Sequence, residues 1–159
     1  MDGLSGEKTR IYSVVVDDSP YTLYEQFVAD NDPPFGTELM NFDDRLRAIG
    51  NDTGIISEFF KTGLGRRDQH ICQFYDRPKA KMRLFFIEEM SRNMIIVGGG
   101  GLKPKNLRAT EDDSELNTQR ELLMKIEDIL RKAEKDGTLI IHIDGSITST
   151  TDNIYYFED

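Results

Sequence analysis

Residues 78–87 read Pro78-Lys79-Ala80-Lys81-Met82-Arg83-Leu84-Phe85-Phe86-Ile87, and residues 94–98 read Met94-Ile95-Ile96-Val97-Gly98. Both are short apolar runs rich in β-branched and aromatic residues and bounded by turn formers, the pattern of buried strands. Residues 70–75, from His70 to Tyr75, make a third such run. Asp76-Arg77-Pro78 supplies a turn between the first and second, and residues 90–93 a tight connection between the second and third. Strands joined this closely pair antiparallel, so residues 69–98 read as a three-stranded meander. Gly98-Gly99-Gly100-Gly101 ends it, since glycine permits positive φ and a sharp exit from a strand.

Toward the N-terminus, residues 11–16 read as one more strand, closed by Asp17-Asp18. Ser19-Pro20 reads as a helix cap with proline at the first helical position. Leu23, Tyr24, Phe27 and Val28 then share a helical face, and Asp32-Pro33-Pro34 stops that helix. A second helix begins near Thr37 and carries Leu39, Phe42, Leu46 and Ile49 on one stripe, with Gly50 as its stop. A short third helix is expected over Ile55, Ile56, Phe59 and Phe60, capped by Asp52 or Thr53 and closed by Gly63. Residues 1–9 are small and polar and read as a flexible tail.

Toward the C-terminus, residues 102–113 read as a polar loop. Ser114 is placed to cap the longest helix, which runs to Lys135. Leu116, Leu123, Ile126, Leu130 and Ala133 line one side of it, and Arg131, Lys132 and Lys135 complement its C-terminal dipole. Gly137 closes it, residues 139–143 form a strand, Asp144-Gly145 a turn, and residues 154–157 a last strand. The expected fold class is α+β: a mostly antiparallel twisted sheet with an N-terminal helical hairpin and a long C-terminal helix. At 159 residues the chain is expected to be one domain, with a core over residues 11–135 and a C-terminal β extension over residues 138–159.

Cys72 is the single cysteine, so an internal disulfide is excluded and a reducing compartment is expected. Residues 1–6 carry no apolar signal core, and no apolar run approaches the ~20 residues of a membrane span. A cytoplasmic protein is the expectation. The net charge of −9 argues at first against a nucleic-acid partner. Its distribution changes that reading. Residues 61–108 hold eleven Lys/Arg against four acids, a local charge of +7 that leaves −16 elsewhere. Such asymmetry points either to a polyanionic partner or to basic strands that face acidic helices of the same chain.

The order of elements and three local features resemble the RelE/ParE toxin superfamily, in its HigB-like branch. The first is the N-terminal strand followed by a helical hairpin. The second is the meander around Pro78-Lys79-Ala80-Lys81-Met82-Arg83-Leu84-Phe85-Phe86, where an Arg-Leu-Phe strand follows a turn. The third is Ile95-Ile96-Val97-Gly98 running on to Lys103-Pro104-Lys105 and then a helix. The resemblance implies a toxin of a type II toxin–antitoxin pair that cleaves mRNA on the ribosome. It implies a cognate antitoxin of helix-turn-helix type, no cofactor and no metal. The chain departs from the pattern in its acidity, in lacking an aromatic after the strand-ending glycine, and in running more than 20 residues past the last helix. A non-catalytic RNA- or protein-binding relative therefore stays open beside the endoribonuclease, as does an inhibitor of topoisomerase of the ParE kind.

Lys79, Lys81 and Arg83 alternate along their strand and share a face, opposite Met82 and Leu84. A row of cations on one sheet face suits phosphate contact, and arginine can grip a phosphate with two N–H groups. By resemblance, Arg83 would stabilise charge developing on the phosphorane, with Lys81 beside it. His70 can serve as general base or as a hydrogen-bonded structural residue. Arg66, Arg67, Arg77, Lys79, Lys103 and Lys105 are candidate phosphate contacts, and Tyr75 is either a base-stacking ring or a core residue. Gly98 to Lys103 lacks the spacing of a nucleotide-binding loop but leaves room for a small backbone nest for one phosphate. His142 sits in an apolar run and is expected to be structural; two distant histidines and one cysteine make no metal site.

Overall fold

The structure is a computed structural model that describes residues 3–33, 35–75, 80–103 and 115–155. Among the described residues it is an α+β fold with three α-helices, a mixed five-stranded sheet and a separate hairpin. The sheet order is β1-β5-β4-β3-β2, built from β1 (Arg10–Ser13), β2 (Phe60–Lys61), β3 (Ile71–Phe74), β4 (Met82–Glu89) and β5 (Met94–Leu102). The meander β3-β4-β5 is antiparallel, as the short connections require. β2 extends it antiparallel at one edge, and β1 lies parallel to β5 at the other. From β1 the chain crosses to the far edge through α1 (Leu23–Asn31) and α2 (Gly36–Ala48), and it returns through β2, β3 and β4 to set β5 beside β1.

Both faces of the central strands are buried, which explains their continuous apolar runs. Met82, Leu84 and Phe86 of β4 pack with Tyr24, Phe27, Leu39, Phe42 and Leu46 of the helical hairpin. Phe85 and Ile87, one residue out of phase, pack with Leu116, Leu123 and Ile126 of α3 (Glu115–Asp136). The molecule is thus three layers: hairpin, sheet and long helix.

The four glycines do not end β5; they lie inside it. None has positive φ. Their function is close approach. Gly98, Gly99 and Gly101 face α3, where a Cβ would meet Leu123, Gln119 and the backbone of Leu116. Bare backbone lets the N-terminal half of α3 settle onto the sheet. Between the pairs Leu84–Gly100 and Phe86–Val97, the single residue Phe85 of β4 stands opposite two of β5, a bulge that turns both Gly98 and Gly99 toward the helix. The phosphate-nest reading of this stretch is therefore corrected: its backbone is laddered to β4 and covered by α3.

Four other expectations are corrected. Residues 3–9 are no loose tail: Leu4 and Thr9 are buried, and the N–H groups of Lys8 and Thr9 donate to the carbonyl of Gly50. Gly50 is there because Leu4 crosses it, its carbonyl oxygen only 2.0 Å from where a Cβ would stand. The cap of α1 is Thr22, not Ser19. Its hydroxyl accepts from the N–H of Glu25, whose carboxylate accepts in return from the N–H of Thr22. The third helix is absent; Ile49–Thr53 is one π-helical turn, Ser57–Phe59 a 3-10 turn, and Phe60 joins β2. Gly54, at φ +71°, breaks the helical path between the two turns. The strand that pairs with β6 (Leu139–Ile141) is β7 (Ile147–Ser149), not residues 154–157, of which 156 and 157 lie outside the described residues. Ser114 and most of the 102–113 loop lie outside them too.

Candidate nucleic-acid interface

β4 and β5 stay paired to the end where β4 begins. The N–H of Lys103 donates to the carbonyl of Lys81 (2.8 Å), and Arg83 is in register with Gly101. On the other side of β4, Gln73 is in register with Phe85. Tyr75 directly follows β3, and its N–H donates to the carbonyl of Phe59 (3.3 Å). Lys81 and Arg83 alternate with Met82 and Leu84, which pack under the helical hairpin, so the two cations sit on the α3 side. The start of the strand is pinned from α2: one carboxylate oxygen of Glu38 accepts the N–H groups of Lys81 (2.6 Å) and Met82 (3.1 Å). Tyr75, Lys81, Arg83 and Lys103 thus share one end of the sheet. Arg77, Lys79 and Lys105 lie outside the described residues.

The remaining candidates are at the other end. His70 stands just before β3, its carbonyl accepting from the N–H of Glu88 (3.0 Å). Along β4, residue 88 is five positions from Arg83, about 17 Å at about 3.3 Å per residue. The strands are neighbours, as the meander requires, but His70 and Arg83 do not share a site. Arg66 forms an ion pair with Asp128 of α3, and its N–H donates to Gln69. Arg67 is exposed in the same loop. His142 lies just past β6, with a ring nitrogen 2.7 Å from the hydroxyl of Thr148.

At this second end the sequence concealed an ion cluster. Glu127 is 0% exposed and Glu89 3% exposed. Arg131 bridges both, and with Arg92 also holds Glu134. Glu127 further accepts the backbone N–H of His70 (2.8 Å), joining α3 to the start of β3. Burial works against the charge on Arg131, but the hydrogen bonds it donates to the carboxylates of Glu134, Glu89 and Glu127 outweigh that and raise its pKa above the ordinary arginine value. Burial likewise opposes the charge on Glu134, and the two guanidinium groups overcome that and hold its carboxyl below the usual range. His70, Glu89 and Glu127 bring ligand-type atoms within 4.8 Å of one another. Arg131 already supplies the counter-charge to both carboxylates, so this cluster ties the helix to the sheet. The signal was present in the sequence: Glu127 directly follows Ile126 on the apolar stripe of α3.

A cleft of about 340 Å³ lies near the Tyr75 end, lined by Arg45, Ile49, Thr53, Glu58, Phe59 and Phe74 besides Tyr75 itself. Arg45 reaches it from α2. Its guanidinium lies 5.3 Å from the ring centre of Phe74 and 5.8 Å from that of Phe42, and it donates to the carbonyl of Tyr75 (3.4 Å). Nothing in the spacing of Arg45 or Phe59 announced this, because it arises where three elements meet. Among the described residues no helix is long and apolar enough to cross a membrane. Compared with known proteins, the chain matches no family model, no curated protein and no solved structure.

Proposed function

We propose that this chain is the toxin of a toxin–antitoxin pair, built on the plan of the RelE/ParE toxins in their HigB-like branch, and that it cleaves mRNA on the ribosome. The observation that carries the reading is the convergence of Lys81, Arg83 and Lys103 at one end of the sheet. The order of strand, helical hairpin, meander and long helix supports it as well. α3 begins beside Gly101, so the positive end of its dipole adds to the potential there.

The chemistry needs little from the protein. The 2′-hydroxyl of the RNA attacks the adjacent phosphorus in line, the bond to the 5′-oxygen breaks, and a 2′,3′-cyclic phosphate forms. Negative charge builds on the phosphorane oxygens, and Arg83 offers two parallel N–H donors to it. Lys81 and Lys103 hold the flanking phosphates. The distance to His70 leaves proton transfer to water or to the ribosome, not to that imidazole. This scheme requires no cofactor. The partner implied is a small antitoxin that covers the basic end, and the compartment implied is the cytoplasm.

The separation of His70 from Arg83 favours a second reading, a non-catalytic RNA- or protein-binding protein on the same scaffold. Induced expression in bacteria, with and without Arg83→Ala, separates the two. Growth arrest that disappears with Arg83→Ala, in protein that remains folded, supports the toxin, and ribosome-bound mRNA then shows mapped cuts. Well-folded wild-type protein that arrests nothing refutes the toxin reading and leaves the binding protein.

A further inference from the structure

Glu38 reaches the basic end of the sheet from α2, and what it touches there is backbone: one carboxylate oxygen accepts the N–H groups of both Lys81 and Met82. We propose that Glu38 is a positioning residue for RNA, a latch that fixes the start of β4 so that Lys81 and Arg83 meet the phosphates in one set geometry. The inference rests on the RNA reading above and names the residue on which the aim of the basic row depends.

The start of β4 needs such a hold. The register of β3 with β4 runs from Ile71 opposite Ile87 to Gln73 opposite Phe85, so Lys81, Met82 and Arg83 lie beyond it. On the other side β5 continues, with Met82 opposite Leu102 and the N–H of Lys103 donating to the carbonyl of Lys81. Glu38 adds a tie from the hairpin layer, and that tie is rigid at its root. It stands in the first turn of α2, where the helix dipole favours a negative charge, and its neighbour Leu39 is buried with Phe42 and Leu46. Met82 is buried in the same core, so its side chain and its N–H are both fixed from the hairpin side. Successive side chains of a strand leave on opposite faces, so fixing Met82 sets the direction of Lys81 and Arg83 on the other face. A two-pronged guanidinium grip on phosphate depends on direction as well as distance. A misplacement of about 1 Å can cost about a hundred-fold in rate. As a charge, Glu38 repels a polyanion. As a latch, it orders the groups that bind one. The two effects have opposite signs, so a binding experiment separates them.

The probe is a fluorescent 2′-O-methyl RNA of about eight nucleotides, which cannot undergo attack by its own 2′-oxygen. Binding is followed by anisotropy for the wild type, Glu38→Ala, Glu38→Gln, Arg83→Ala and Glu127→Ala, each checked for folding by circular dichroism. Glu38→Ala is expected to weaken binding at least about five-fold, the worth of about one hydrogen bond, although it removes a negative charge. Glu38→Gln keeps an oxygen acceptor and is expected to bind within about two-fold of the wild type, or tighter. Glu127→Ala loosens the far end of the sheet and is expected to leave binding unchanged. Hydrogen exchange supplies a second readout: in Glu38→Ala the amides of Lys81 and Met82 are expected to exchange at least about ten-fold faster. Glu38→Ala protein that binds as tightly as the wild type, or tighter, overturns the latch and leaves Glu38 as a repelling charge. Unchanged amide exchange overturns it, as does a Glu38→Gln protein as weak as Glu38→Ala, because the acceptor is then not what matters. Equal losses in Glu38→Ala and Glu127→Ala overturn it too, since the effect is then one of overall stability. A loss in Arg83→Ala keeps the RNA reading standing whichever way Glu38 falls. Wild-type protein that binds no probe, or whose binding Arg83→Ala leaves intact, refutes the RNA reading, and the positioning role falls with it.

Discussion

Gly100→Ala is the substitution on which the packing of this sheet can be tested most directly. A Cβ built on Gly100 stands 1.9 Å from the carbonyl oxygen of Arg83, 2.9 Å from its carbonyl carbon and 3.0 Å from the Cα of Leu84. All three atoms are backbone of β4, so no rotamer change relieves the contact. The strands must part by more than an ångström where Arg83 and Leu84 face Gly101 and Gly100. Overpacking of this kind costs about 1–3 kcal/mol, and a lost ladder hydrogen bond about 1 more. The stiffer unfolded chain returns about 0.4–1 kcal/mol. The expected net loss is about 2–3 kcal/mol, or roughly 5–10 °C in Tm for a chain of this length. Gly99→Ala is the control. There the close atom is the tip of Gln119, 2.4 Å away, and that side chain can swing aside. Its expected effect stays within about 1 kcal/mol. Urea unfolding followed by circular dichroism measures both, with an unchanged m-value confirming that stability alone has moved. Equal stability of the two variants would refute the close-approach account of the glycine run.

Glu127→Ala removes a fully buried carboxylate from Arg131 and from the N–H of His70, and is expected to lower stability by about 2–3 kcal/mol. Asp128→Ala, one residue on, breaks an exposed pair with Arg66 and should stay within about 0.5 kcal/mol; similar losses in the two would sink the idea of a buried tie. Burial pushes the Cys72 thiol up to about 12, with Glu88 and Glu127 adding to the effect. Iodoacetamide at mildly alkaline pH should therefore modify the native protein at least about a hundred-fold more slowly than the unfolded chain; comparable rates would mean the strand opens readily. Glu134 titrates below its ordinary value in the folded state. Its contribution is complete above the unfolded carboxyl pKa of about 4.3 and is lost as pH falls through the folded value, so thermal melts between about pH 5 and pH 3 should show a shallower loss in Glu134→Gln than in the wild type.

The meander was legible because its strands report themselves: apolar, β-branched or aromatic, and separated by tight connections. The long helix was legible from Leu116, Leu123, Ile126 and Ala133, which all proved buried on the sheet. What escaped was whatever depends on a second element arriving from elsewhere. A glycine run has poor strand propensity, and nothing local to residues 98–101 announces that α3 will lie on it. Leu4 is one apolar residue in a polar stretch, and only Gly50, 46 positions away, reveals why the N-terminal segment packs. Phe59 and Phe60 fit a helical face by spacing, yet Phe60 is buried in β2 against Phe86 while Phe59 turns outward to the cleft. Periodicity says which side of an element is covered; it does not say by what.

The same limit governs the basic segment, and there it decides the functional argument. As a composition, residues 61–108 are one stripe of +7. In space, register divides it into two ends with opposite surroundings. Toward the end of β4, α3 turns Glu127, Asp128 and Glu134 to the sheet, and Arg66 and Arg92 pair with the last two. At that end the stripe is basic residues facing the acidic helix of the same chain. Toward the start of β4, the same helix presents Leu116, Gln119 and Leu123 to bare glycine backbone. Glu38 reaches this end from the opposite layer, and it is the backbone N–H groups of Lys81 and Met82 that it accepts. α3 thus carries its sheet-facing acids over one half of β4 and its apolar contacts over the other. The proposed RNA contact therefore concerns the Arg83 end alone, and the Arg83→Ala experiment addresses that end.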